Sequence, residues 1–472
     1  MPHQKRAFTF LKRRPRAGLF MRPGTGKTLV SIRAAKPPAL VICRSDDFLT
    51  WETELTLEGF LPLDMDFIGS AKDVADLDPH AIPNWTIVTY DLCKSPDVFN
   101  YLLECDFKEV IADECQLIKR PSSARHKDVV NVTRHIPRRR GLTGSPITND
   151  VIDVFGQFRF IDDGHTFGTN EWRFRKRYYI QAKVGKGQGG KVANGWFPKR
   201  GAKDKIADAM KESAFHVHED DVLDLPPVRS IALTVPMSGA QRRYTEQVLK
   251  HWEMEIDEDR IDELDWVIQQ VSKLRQIASG FFYYYPDPEN TKRRKARLIR
   301  CPKLDRLVQM FEDGELEDKR KVVVWAVHGA EIRRICRTLD NQGITNVPYM
   351  GSFSPAQRRA ARLEFKPTKK GPRVFVAQAD MGVGMNELIC ADTAVWFSNS
   401  YRVASRMQSE ARTRRKGSEI HDQITHYDLL TAGSIDAKVL QSIRSNMSVA
   451  DYILARVKLG NPLRKILASR SA

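Results

Sequence analysis

A lysine and a hydroxyl that follow two glycines, and a pair of carboxylates farther along the chain, are the residues whose types and spacing point to chemistry. Pro23-Gly24-Thr25-Gly26-Lys27-Thr28 comes after an apolar strand end, Leu19-Phe20-Met21, and before a helix-like start, Leu29-Val30-Ser31-Ile32. Glycines at such a turn let backbone N–H groups face phosphate oxygens, and the helix N-terminus adds partial positive charge. Gly24, Thr25, Gly26, Lys27 and Thr28 are therefore candidates for holding a nucleotide. Lys27 would reach the β- and γ-phosphates, and the Thr28 hydroxyl would bind magnesium. The full pattern wants a glycine where this chain has Met21. Downstream, Val110-Ile111-Ala112 reads as a buried strand that delivers Asp113-Glu114-Cys115-Gln116. Ligands of parallel sheets bind outside the carboxyl ends of the strands. There Asp113 suits magnesium through its water shell, and Glu114 suits orienting and deprotonating an attacking water. Together the two motifs imply hydrolysis of a nucleoside triphosphate with magnesium as cofactor.

The elements that must position these groups read as α/β. Apolar strands recur at 17–21, 39–43, 86–90, 109–112 and 141–143, with helical stretches between them, which predicts a parallel sheet covered on both faces. A second set is predicted at 322–327, 374–379, 394–397 and 425–429. Between the sets, residues 161–300 break the rhythm. Residues 184–195 are rich in glycine and lysine but lack the strand and the Gly-Lys-Ser/Thr ending, so they read as the tip of a basic hairpin. Residues 252–276 read as helical with an acidic start. The expected layout is a first lobe over 1–160, an insertion and linker over 161–300, a second lobe over 301–455 and a basic tail over 456–472.

Composition narrows the partners. Lysine and arginine number 76 against 59 acidic residues, a formal net charge of +17, which favours a polyanion. Basic clusters stand at Lys12-Arg13-Arg14, Arg138-Arg139-Arg140, Arg173-Phe174-Arg175-Lys176-Arg177 and Lys292-Arg293-Arg294-Lys295. Arg173, Arg175, Lys176 and Arg177 are the candidate nucleic-acid contacts, reading phosphate and not sequence. No apolar run is long enough to span a membrane. The N-terminus lacks a signal-peptide core. The seven cysteines include no Cys-x-x-Cys pair, so neither a zinc site nor a disulfide framework is indicated, and a reducing, cytoplasmic compartment is expected.

The ordered set of further motifs carries a family resemblance over nearly the whole chain. Gly141-Leu142-Thr143-Gly144-Ser145-Pro146-Ile147-Thr148-Asn149 resembles motif III of superfamily 2 helicases, in the form found in SWI/SNF-like DNA translocases. Trp51 and Glu54 resemble motif Ia, and 86–90 motif Ib. Residues 352–365 resemble a segment of the family's second lobe. Met381-Gly382-Val383-Gly384-Met385-Asn386 looks like motif V, and Gln408 through Gly417 looks like motif VI. The resemblance implies two RecA-like parallel-sheet lobes with a largely helical insertion between them, ATP as the nucleotide, and double-stranded DNA as the partner. It also implies translocation along that DNA. Gly384 and Gln408 would contact the nucleotide. Arg412 and Arg415, three apart on a helix and so on one face, would act as arginine fingers from the second lobe. Gln4 resembles the glutamine that grips the adenine edge in relatives; a merely solvated side chain is the alternative.

Some positions depart from the family. Gln116 stands where relatives often have histidine, and it is expected to keep coupling the nucleotide site to motif III. Arg414 and Ser418 also differ, at positions not expected to carry phosphate chemistry. With the phosphate loop so near residue 1, no room is expected ahead of it for a targeting or histone-reading domain. The compact form suits a soluble, monomeric bacterial or bacteriophage enzyme in the bacterial or infected host cell. Three functions stay open: a duplex translocase, a strand-separating or branch-migrating helicase, and a nucleic-acid-binding regulator with a vestigial ATPase.

Overall fold

The computed structural model describes residues 1–22, 24–147, 150–186, 192–217, 225–256, 264–286, 294–316, 321–365, 371–381, 385, 387–400, 403–415 and 417–445. The chain divides into two compact units, Met1–Asp224 and Leu225–Ala472. The expected basic tail over 456–472 lies outside the described residues.

The first unit is built on strands β1 (Arg16–Met21), β2 (Ala39–Cys43), β3 (Met65–Ile68), β4 (Trp85–Thr89), β5 (Glu109–Asp113) and β6 (Arg138–Thr143), then a hairpin of β7 (Tyr179–Lys186) and β8 (Val192–Pro198), and β9 (Ala214–Val217). Seven of them form one sheet in the order β3-β4-β2-β5-β6-β1-β9, all parallel. β2 and most of β1, β4 and β5 are buried on both faces, the continuous apolar reading of a sheet covered by helices on each side. Two apolar clusters fill those layers, one around Leu40, Val88, Val110 and Phe158, the other around Leu19, Val41, Trp51 and Ile111.

The basic cluster at 138–140, one of the four counted in favour of a polyanionic partner, turns inward. Arg139 and Arg140 are fully buried. Glu109, at the start of β5, accepts from Arg138 Nε at 2.9 Å, from Arg140 Nε at 2.8 Å and from the backbone N–H of Lys36 at 3.1 Å. Arg140 also donates to the carbonyls of Arg14 and Leu11 at 2.7 and 2.9 Å. Arg140 thus satisfies carbonyls at the C-terminal end of the helix Pro2–Arg13, and the cluster lies at the start of β6, opposite its carboxyl end. Removing one partner of such a buried set strands the others, at a cost of about 3–5 kcal/mol.

The second unit has β10 (Val228–Val235), a hairpin of β11 (Phe281–Tyr284) and β12 (Lys295–Leu298), then β13 (Lys321–Ala326), β14 (Asn346–Tyr349), β15 (Val374–Gln378), β16 (Ala391–Trp396) and β17 (Ile424–Thr431). Its main sheet runs β10-β17-β16-β13-β15-β14 and is again parallel throughout. Two parallel-sheet α/β units are thus present, as expected of a two-lobed fold. Residues 161–300, read from sequence as an insertion and linker, supply an edge strand to each sheet, β9 to the first and β10 to the second. They also hold both hairpins and the helices Gly239–Ile256 and Leu264–Ala278. The hairpin β7–β8 falls where a basic hairpin was expected, and residues 187–191 of its tip lie outside the described residues.

Candidate active site

β1 and β5 are separated in the sheet by β6 alone, so their carboxyl ends stand roughly 10 Å apart. That is within reach of an extended lysine side chain plus a phosphate. The glycine-rich loop leaves β1 and the two acids leave β5. Burial and order therefore bring Lys27 and Asp113 to the same edge, and the Lys27 charge acts on the Asp113 carboxyl.

The loop is held from behind. Gly24 and Gly26 have φ of 82° and 90°, the left-handed region open to glycine. A Cβ on Gly26 would also come within 2.2 Å of Gln4 Nε2. Thr25 is fully buried; its hydroxyl donates to the Arg22 carbonyl at 2.7 Å. The Thr25 carbonyl takes the Gln4 amide at 3.2 Å and lies 2.9 Å from the ring nitrogen of buried His3. Gln4 Oε1 accepts from the Met1 ammonium at 3.1 Å. Gln4 therefore contacts the phosphate loop directly. His3 was not among the residues singled out from sequence. The helix Lys27–Ala34 begins at the lysine with Gly26 as its cap, so its first N–H groups point toward the loop's mouth, and Thr28 stands on its first turn.

The acidic pair is placed by strain and by hydrogen bonds. Asp113 Oδ2 accepts from Trp51 Nε1 at 3.0 Å, its Oδ1 accepts from the Glu114 N–H at 3.0 Å, and its backbone carbonyl accepts from the Tyr90 hydroxyl at 2.7 Å. Burial, reinforced by the neighbouring Glu114 charge and opposed by Lys27 and the Trp51 bond, holds the Asp113 carboxyl above the ordinary range. A buried carboxyl raised in this way is one that a cation would stabilise in its charged form. Glu114 sits at φ 52°. This left-handed conformation costs a non-glycine residue of order 1–3 kcal/mol and tends to mark functional turns. Gln116 Nε2 donates to Glu114 Oε2 at 2.6 Å, so the second carboxylate oxygen is the one available to a water.

Among the described residues, a link to motif III runs through Gln157. Gln116 donates its amide to Glu114, and among the described residues its buried Oε1 has no hydrogen-bond partner. Cys115 Sγ donates to Gln157 Oε1 at 3.3 Å, and Gln157 Nε2 donates to the carbonyls of Pro146 and Asp153 at 2.6 and 2.8 Å. Gln157 is fully buried in the helix Asp153–Ile161. Gly156 lets that helix cross, since a Cβ there would lie 2.2 Å from the Lys119 carbonyl. Thr148 and Asn149 lie outside the described residues.

Of the candidate nucleic-acid contacts, Arg173, Lys176 and Arg177 are exposed along the helix Glu171–Tyr178. Lys176 lies 3.8 Å from the centroid of the exposed Trp172 ring. Arg175 differs: it pairs with Glu171 at 2.8 Å one turn back and stacks near Tyr179.

In the second unit, Gln408 and Arg412 stand on the helix Val403–Thr413. That helix ends at Thr413, so Arg415 does not share a helical face with Arg412, as its spacing had suggested. It sits in the following turn, where its N–H donates to Ser418 Oγ at 3.2 Å and its carbonyl accepts from the Ser418 N–H at 2.8 Å. Arg414 Nε donates to the Pro226 carbonyl at 3.0 Å. Arg406 anchors the helix: buried, it pairs with Asp428 at 2.5 Å, with Asn399 Oδ1 at 2.7 Å, and lies 3.6 Å over Trp396. Burial and the Arg406 charge push neighbouring His426 down to about 3, so a neutral ring underlies the helix. Gly384 lies outside the described residues.

The family model of the SNF2-related domain matches residues 3–280, more than half of the chain. TATA-binding protein-associated factor mot1 of Schizosaccharomyces pombe is 22% identical over 485 residues, covering 91% of this chain and 24% of that protein. DNA repair and recombination protein RDH54 of Saccharomyces cerevisiae is 22% identical over 366 residues, covering 75% of this chain and 38% of the relative. The chain thus spans roughly a quarter to two-fifths of the length of these relatives. Among solved structures, the Sulfolobus solfataricus SWI2/SNF2 ATPase core in complex with dsDNA matches with a TM-score of 0.40 and 19% identity, covering 100% of this chain and 97% of that one.

Proposed function

Because the chain belongs to the SNF2-related domain family, we propose that it is a DNA-dependent ATPase that moves along double-stranded DNA. The observation that carries the reading is the convergence of Lys27 with the constrained Asp113–Glu114 pair at one sheet edge. A regulator with a vestigial ATPase has no need of a glutamate held in a strained conformation beside a phosphate loop.

The residues divide the work as follows. Gly24, Thr25, Gly26 and Lys27 bind phosphate through backbone N–H groups and one ammonium, and Gln4, Gly384 and Gln408 complete the nucleotide contacts. Thr28 and Asp113 would hold magnesium, whose charge offsets that of the phosphate oxygens when bound. Glu114 orients a water and takes its proton on the carboxylate oxygen that Gln116 leaves open. Arg412 and Arg415 supply positive charge to the γ-phosphate as its bond breaks, and duplex DNA favours the arrangement that brings them to it. Successive cycles then move the protein along the phosphates.

Glu114→Gln is expected to bind ATP normally yet hydrolyse it at least ~100-fold more slowly, the scale of a lost general base. Single-turnover hydrolysis beside nucleotide titration measures this. Loss of ATP binding with an unchanged rate per bound ATP would make the acid structural.

DNA affinity should fall steeply with salt: neutralising about five phosphates gives a log–log slope of about −4 to −5. Exchanging Arg173, Lys176 and Arg177 for glutamine should make the slope shallower by about 2–3 for every sequence alike. Arg175→Gln should change it little, because Glu171 already holds that charge. Anisotropy titrations at several salt concentrations decide, and a salt-independent affinity contradicts a phosphate-tracking surface.

The function itself is tested by ATPase rates on duplex, single-stranded and forked DNA and on RNA. Duplex DNA is expected to stimulate most. Equal stimulation by RNA, or none by any ligand, overturns the proposal.

A further inference from the structure

The β11–β12 hairpin carries an aromatic and basic face that neither unit's core explains. Cross-strand partners share a face, and Phe282 pairs with Arg297 while Tyr284 pairs with Lys295. On the opposite face, Phe281 and Tyr283 pack against His328, with ring centroids 5.4 and 6.1 Å away. That inner face is thereby accounted for. On the outer face, Phe282 lies 4.7 Å from the Tyr244 ring of the helix Gly239–Ile256, and the guanidinium of exposed Arg243 lies 5.0 Å from that same ring. Tyr284 is 41% exposed, and Lys295 and Arg297 are exposed along their whole strand.

The platform is firmly mounted. Arg334 Nη1 donates to the carbonyls of Gly280 and Ile299 at 2.6 and 2.7 Å, gripping both strands at their base. Gln276 Oε1 accepts from the Tyr283 N–H at 3.0 Å. Residues two apart on a strand project about 7 Å from one another on the same face, close to the separation of alternate bases in a stack. Aromatic rings on a rigid sheet face, flanked by cations, are the chemistry that takes unpaired bases on their π-faces and phosphates on their charges. A duplex hides those faces in its own stack.

We propose that Tyr284 and Phe282, with Arg243, Lys295 and Arg297, form a binding surface for single-stranded DNA, separate from the nucleotide site. Such a surface would hold an unpaired strand at a fork, gap or duplex end while the rest of the protein engages duplex.

The test uses the full chain without nucleotide, so its outcome is independent of the ATPase reading. Fluorescence anisotropy compares labelled oligo-dT with a blunt duplex of equal length. Tyr284→Ala is expected to weaken oligo-dT binding about tenfold, the scale of one lost base stack, and to change duplex binding less than about twofold. Tyr284→Phe, which keeps the ring, should bind oligo-dT like the wild type. Equal losses on both DNAs would overturn the proposal, as would an unchanged oligo-dT affinity in Tyr284→Ala. Equal weakness of the alanine and phenylalanine variants would also sink it, because stacking needs the ring and not the hydroxyl. If Lys295→Gln with Arg297→Gln weakens oligo-dT while Tyr284→Ala does not, the face is a plain phosphate contact and base stacking is refuted.

Discussion

Lys27→Ala abolishes ATP hydrolysis and leaves the fold standing: this is the largest effect the site predicts. The side chain leaves the first residue of a helix whose cap is backbone, and alanine is the best helix former, so little stability is at risk. In the proposed site, what is lost is the ammonium that would meet phosphate charge at the carboxyl ends of β1 and β5. Without it, the loop would hold phosphate through backbone N–H groups, and the Asp113 carboxyl loses a positive charge that acts to lower it. A coupled-enzyme ATPase assay with saturating duplex DNA, paired with a thermal melt, measures both halves. Near-normal turnover in a folded variant removes the assignment of the loop.

Arg415→Ala comes second, with a loss of about 10³-fold in DNA-stimulated turnover, the low end for an arginine finger. ATP and DNA affinities should stay close to wild type, since a group recruited mainly in the transition state changes turnover more than ground-state binding. Ser418 braces the Arg415 backbone from both sides, and alanine keeps those backbone bonds, so the variant tests the guanidinium alone. Arg412→Ala should lose turnover similarly and weaken ATP binding as well. Full stimulation in Arg415→Ala would remove the assignment of Arg415 as an arginine finger.

The parts legible in the sequence were those where local pattern and burial coincide. β2 and β5 are apolar runs buried on both faces, and reading them located Asp113 and Glu114 directly. β3 and β14 escaped because four-residue strands containing Asp66 or Pro348 carry little apolar signal. β10 escaped for a different reason: it is a mostly exposed edge whose pairing with β17 supplies its order. The placement of Lys27, Asp113 and Glu114 at one sheet edge was legible, because each follows on an apolar strand run. Placement was not legible at His3 and Gln157. These make their contacts across 22 and 42 residues of sequence, and nothing local marks them. Charge was the least readable signal. The run Arg138-Arg139-Arg140 looks like a phosphate-binding patch on paper. In the fold it neutralises Glu109 and caps carbonyls, because β6 is buried on both faces and leaves its arginines little solvent. The end of the motif VI helix at Thr413 likewise depends on Ser418 and Pro226, contacts that spacing alone does not reveal.

Directional movement on duplex DNA is the central claim, and displacement of a triplex-forming oligonucleotide tests it most directly. The wild-type protein with ATP is expected to release the third strand from a linear duplex without unwinding the duplex itself. ATP omitted, or Glu114→Gln, should leave the triplex intact over the same interval. Release that is independent of hydrolysis, or DNA-stimulated ATP turnover with no displacement from any duplex, would contradict it.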